Sequence, residues 1–174
     1  MTNIYKTKWI FIVMLCALSV LSCKREVPTE RKAEFIKQIS DLVEMPAKIF
    51  GRSRSSVQAK LGPPIEIKTE QISNTHNPRQ TDQIHTLVYK GLEVLIYDAV
   101  LYKKEMLFCV RMTVNHPGVL PELIGQDEKT IKGTFGDPTR VKEKTFEYDI
   151  GDERVQIEFN NEHVVAVQWN LYVD

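Results

Sequence analysis

Apolar and polar residues change their spacing several times along this chain, and each change predicts an element. Between residues 29 and 46, Phe35, Ile39, Leu42 and Val43 fall on one helical stripe. Thr29 or Glu30 lies near the start of this helix, and Pro46 is expected to end it. In FGRSRSSVQAKLGPP, Ser53 suits an N-cap, Val57 and Leu61 are four apart, and Gly62 followed by proline suits a helix stop. IGQDEKTIKGTFGDP has the same grammar, with Asp127, Ile131, Phe135, Gly136 and Pro138 in the matching places. The two segments align without gaps, pairing Gly51 with Gly125, and the alignment continues past them to Lys68 with Lys142. Downstream of each, the period falls to two. Strands are expected at residues 85–89 and 92–102, and again at 145–148 and 153–159. Residues 102–114 align with 159–171, and Lys103-Lys104 and Asn160-Asn161 sit where hairpin turns belong. Residues 69–86 read as a polar loop inserted in the first copy.

The expected architecture is α+β: two tandem helix-β-β-β repeats forming an antiparallel sheet, with helices on one face and the other face open. Alternation decides which side chains belong to which face. Phe108, Val110, Met112 and Val114 should point into the core with Val165, Val167, Trp169 and Leu171, joined by Val155, Ile157, Phe159, Val100 and Tyr102. The opposite face should carry Leu95, Tyr97, Leu101, Leu107 and Arg111, together with Gln168 and Asn170. Aromatic and aliphatic side chains beside an arginine on an open face are the composition of a protein-docking surface. A bulge at Asp98 is the alternative, since one extra residue returns some of these side chains to the core.

The chain begins MTNIYKTK, positive and without acid, and continues into an uncharged run from Trp9 to Leu21. That run is shorter than the ~20 residues a membrane-spanning helix needs. It has the form of an export leader. VLSC closes it, with Val20, Ser22 and Cys23 placed as in the processing box of bacterial lipoproteins. This resemblance implies cleavage before Cys23, lipid on that residue, and an outer-membrane protein facing the periplasm, with the cell surface as the alternative. The expected divisions are a leader at 1–22, a tether and helix at 23–48, and repeats at 49–116 and 117–174. Cys16 departs with the leader, so Cys109 is left without a disulfide partner. The chain carries 23 basic and 23 acidic residues, and loss of Lys6 and Lys8 leaves a slight acidic excess, which offers no nucleic-acid footprint.

Chemical motifs are sparse. His76, His85, His116 and His163 stand at no metal-ligand spacing, and no nucleophile elbow, phosphate loop or dinucleotide fingerprint occurs. No enzyme activity, metal or cofactor is expected. Leu61-Gly62-Pro63-Pro64 and Phe135-Gly136-Asp137-Pro138, with Tyr89, Tyr148 and the closing run from Phe159 to Val167, resemble the BamE (SmpA/OmlA) and β-lactamase-inhibitor-protein superfamily. The resemblance implies a protein-binding module: an accessory to envelope assembly, or an inhibitor or immunity-type protein. The disulfide within each inhibitor repeat has no counterpart here. The alternative expectation is a lipid or small-molecule binder of the cell envelope.

Overall fold

The computed structural model describes residues 29–74 and 76–172. The leader, Cys23 and the start of the tether lie outside them. The first helix, α1 (Thr29–Phe50), continues through Pro46, where the sequence pattern placed its end. Proline has no N–H, so it leaves the carbonyl four residues earlier without its helical donor. That carbonyl belongs to Leu42, and the Trp169 indole N–H donates to it at 2.9 Å in a buried bond. A tertiary donor thus replaces the missing helical one and keeps the helix intact. Leu42, Val43 and Phe50 of α1 are buried with Trp169, while Phe35 and Ile39 are partly buried.

Two short helices follow the capping logic of their sequences. In α2 (Arg54–Leu61), the Ser53 side chain accepts from the Ser56 N–H, and Ser56 returns a bond to the Ser53 backbone. In α3 (Glu128–Phe135), Asp127 accepts from the Thr130 N–H at 2.7 Å. Gly62 and Gly136 close the two helices with φ of 80° and 77° and ψ of −170° and −166°, a region that is essentially glycine-only. Two tyrosines complete these ends. Tyr89 donates its hydroxyl to the Gly62 carbonyl at 3.2 Å, and Tyr148 donates to the Gly136 carbonyl at 3.1 Å. A strand side chain therefore satisfies a carbonyl that the stopped helix leaves without a partner.

The strands are β1 (Glu66–Ser73), β2 (Thr81–Tyr89), β3 (Leu92–Ala99), β4 (Lys104–Met112), β5 (Arg140–Lys142), β6 (Thr145–Ile150), β7 (Glu153–Asn160) and β8 (His163–Asn170). They form one antiparallel sheet in the order β1-β2-β3-β4-β8-β7-β6-β5. This corrects the expected architecture of two helix-β-β-β repeats with helices on one face and the other open. Among the described residues there are eight strands rather than six, all in one sheet. The extra ones, β1 and β5, are its two edges. β1 buries no residue and β5 is exposed throughout, so neither has the alternation by which a strand is read from sequence. Nor is the second side of the sheet uniformly open: Met106, Cys109, Ala166 and Glu147 on that side are buried.

Register explains the other differences. The β3–β4 pairing slips between Leu95 and Ile96, leaving Phe108 as the extra residue, and the β7–β8 pairing slips between Glu158 and Phe159, leaving Val165 extra. Phe108 and Val165 occupy equivalent places in the internal alignment. Each bulge reverses the alternation that precedes it. Leu107 pairs with Ile96 and is buried on the side that carries Trp169, and Val164 does likewise opposite Phe159. Phe108 is half-buried and Val165 exposed, contrary to the core assignment. No slip occurs at Asp98. Instead β3 runs on to Ala99, and Val100–Tyr102 form a 3-10 turn whose side chains are 45%, 66% and 70% exposed, so Val100 and Tyr102 leave the expected core. Val114 is also exposed.

Trp169→Phe is expected to destabilise the fold by about 1–3 kcal/mol through the orphaned Leu42 carbonyl, besides its loss of volume. In a Pro46→Ala background residue 46 regains its N–H, so the same substitution should cost about 1 kcal/mol less. Urea denaturation of the four proteins measures this coupling. Identical costs in the two backgrounds would remove the exchange of donors at Leu42.

Candidate docking surface

Cross-strand pairing lays the side chains opposite the Trp169 side in rows. One row runs Glu93, Arg111, Gln168, Gln156, Glu147 across β3, β4, β8, β7 and β6. The next runs Thr86, Leu95, Cys109, Asn170, Arg154, Asp149. Four of the residues singled out in the sequence, Leu95, Arg111, Gln168 and Asn170, are thus neighbours on adjacent rows. Leu107 is not among them, because the Phe108 bulge turns it to the other side. Leu101 stands apart in the 3-10 turn beyond the end of β3.

A hydrogen-bonded ladder orders the polar part. Gln168 donates to Asn170 Oδ1 at 2.8 Å, Asn170 donates to Gln156 Oε1 at 3.2 Å, and Gln156 donates to Glu147 Oε1 at 3.0 Å. The other Glu147 oxygen is buried and has no hydrogen bond, with Arg140 at 3.4 Å and Arg154 at 3.8 Å. Arg154 donates instead to Asp149 at 2.5 Å. Arg111 is exposed and lies 3.7 Å from the exposed Glu158, a spacing at which the pair contributes little to stability. Arg111, Thr145, Gln156, Glu158, Ala166 and Gln168 line a shallow cleft of about 150 Å³ with Ala166 buried beneath it.

The apolar half of this side is already engaged. Leu95 is half-buried. Burial pushes the Cys109 thiol up to about 11, so it remains protonated at neutral pH and lacks the character of a nucleophile. Tyr97 does not offer a free hydroxyl. It donates to the buried Asp82 at 2.5 Å, and burial together with that carboxylate raises its pKa to about 12. Asp82 also accepts from Asn74 at 2.6 Å, Gln80 at 3.1 Å and the Val100 N–H at 3.2 Å. One carboxylate therefore fastens Asn74, Gln80 and the 3-10 turn to β3. Sequence reading missed it because Asp82 lies in a stretch without apolar alternation; its only signal is an acid among amide and hydroxyl side chains.

The remaining titratable groups brace the structure elsewhere. His85 lies in β2 rather than in a loop, buried between the Thr69 hydroxyl at 2.9 Å and Asp98 at 3.4 Å. Arg54 of α2 bonds Glu105 and lies 3.6 Å from Asp98. His163 is exposed, with Nδ1 3.1 Å from the Gly125 carbonyl. Among the described residues no cluster of His, Cys, Asp or Glu is placed to hold a metal ion.

Hydrogen bonds, first from Tyr97, hold the folded Asp82 carboxyl below its ordinary pKa. A depressed acid stabilises the fold fully above its unfolded pKa of ~3.9, and that contribution is lost as pH falls through the folded value. Asp82→Asn should therefore be less stable than the parent at pH 7. The gap should narrow below about pH 4, as urea melts across pH will record. Comparison with family models, curated proteins and solved structures finds no match to this chain.

Proposed function

We propose that this chain is a lipid-anchored protein-binding module of a bacterial cell envelope, held at the outer membrane through Cys23 and facing the periplasm. It docks a partner protein on the rows that carry Leu95, Arg111, Gln168 and Asn170. Within that class, an accessory role in envelope assembly and an inhibitor or immunity role both suit the motifs. The observation that carries the reading is the Arg111–Gln168–Gln156 row. These side chains stand on central strands of an eight-stranded sheet, and the ladder to Glu147 fixes the orientation of the two amides. Preordered amides lose little freedom when a partner's backbone meets them, and the exposed Arg111 guanidinium offers a donor to a partner's carboxylate. Leu101 and Tyr102, exposed in the turn, supply a separate apolar contact. The cleft at Arg111 and Gln168 is shallow, at about 150 Å³, while a neighbouring one bordered by Tyr89, Glu93, Arg111 and Thr113 reaches about 300 Å³.

Arg111→Glu should reduce the crosslinked recovery of a partner about tenfold or more while leaving Tm nearly unchanged, because Arg111 is exposed and weakly paired. Equal recovery by parent and variant would remove Arg111 from the interface. Cys23→Ser should accumulate unprocessed precursor in membranes. Normal maturation of that variant, seen as an unchanged mass, would end the lipid-anchor reading.

A further inference from the structure

The two edges of the sheet differ. β5 has three residues, and Arg140 and Lys142 on one of its sides are both cationic. Any antiparallel pairing of β5 with itself sets these like charges against each other. β1 is an edge of eight residues without proline, EIKTEQIS, exposed except at Ile72. Its outward backbone groups follow from the register. The Asn74 N–H donates to the Gln80 carbonyl at 2.9 Å, so residues alternating back from Asn74, namely Ile72, Glu70, Lys68 and Glu66, bond to β2. Ile67, Thr69, Gln71 and Ser73 direct their N–H and C=O groups away from the sheet. An edge this long is a template for another strand unless its side chains forbid it.

The side chains select one occupant. Glu66, Lys68 and Glu70 alternate in sign on one side of the strand. Suppose β1 pairs antiparallel with itself around a two-fold axis at Thr69. Lys68 then lies opposite Glu70 twice, Glu66 opposite Ile72, and Ile67 opposite Gln71. Shifting the axis to Lys68 sets Lys68 against itself and Glu66 against Glu70. Shifting it to Glu70 sets Glu70 against itself. Like charges directly opposite are destabilising, so both neighbouring registers are disfavoured. The remaining attractive register, Glu66 opposite Lys68, overlaps only the first three residues of the strand. The charge pattern is therefore self-complementary in the register that uses nearly the whole edge, and that register also covers Ile67, which is 48% exposed. We propose that β1 is an interface between two copies of this chain, joining their sheets edge to edge with Thr69 on the two-fold axis. The proposal is independent of the docking rows, which lie on central strands.

In an antiparallel pair, residues that bond to their other neighbour face each other as close, non-hydrogen-bonded pairs with Cα atoms ~4.5 Å apart, within disulfide range. Glu66 and Ile72 form such a pair across the axis. In the full-length chain, oxidised in intact cells, Glu66→Cys/Ile72→Cys should give a reducible dimer, while either cysteine alone should not. Adding Glu70→Lys should cut the dimer about fivefold or more, and adding Lys68→Glu to that variant should restore it. Thermal melts of the charge variants report whether they fold as the parent does. The proposal fails if the double-cysteine chain stays monomeric, if a single cysteine crosslinks equally well, or if the charge swap restores nothing. A segment of the same chain or another protein seated on β1 gives the first of these results.

Discussion

The bond from the Trp169 indole to the Leu42 carbonyl is the contact on which the packing of α1 depends. It exists because of a defect. Pro46 interrupts the helical ladder and leaves a buried acceptor that only another element can satisfy. Trp169 is paired with Val110 on β4 and Val155 on β7, so its position is set by the junction where the strands of the two halves meet. The first described helix is thereby keyed to the seam between β4 and β8. The indole contributes a large apolar surface as well as its single donor, which fixes both where the helix rests and its register along the sheet.

The same device appears twice more at the helix ends. Gly62 and Gly136 stop their helices in a backbone region other residues avoid, and Tyr89 and Tyr148 reach across from the sheet to the freed carbonyls. The leucine or phenylalanine, the glycine and the later tyrosine of each copy are thus parts of one joint. The first two end a helix, and the third binds that end to a strand. The spacing between glycine and tyrosine differs between copies because β1 and its loop are longer than β5. The joint is insensitive to this, since only its two ends must meet.

Bulges decide which side chains reach the surface. In both closing strands the sequence alternates cleanly, and a continuous alternation would place Leu107 with Arg111 and Val164 with Gln168. One inserted residue, at Phe108 and at Val165, sends the preceding aliphatic side chain into the core and leaves the later polar ones outside. The surviving outward rows are accordingly more polar than the pattern implied. Their apolar members are buried, as Cys109 is, half-buried, as Leu95 is, or, like Tyr97, tied to an internal carboxylate.

Local chemistry determined much that could be read directly from the chain: the helix caps at Ser53 and Asp127, the glycine stops, the duplicated grammar, and the outward placement of Leu95, Arg111, Gln168 and Asn170. Each of these follows from a residue's own backbone preference or from strict alternation. Tertiary structure decided the rest. The continuation of α1 past Pro46 needed a donor 123 residues beyond that proline in the chain. The edge strands β1 and β5 have no buried side to leave a pattern, and are strands only because β2 and β6 offer them hydrogen bonds. The side to which Leu107 points depends on a pairing slip that no spacing within one strand records. In each case the deciding group lies in a different element, and a sequence read along one element at a time carries no trace of it.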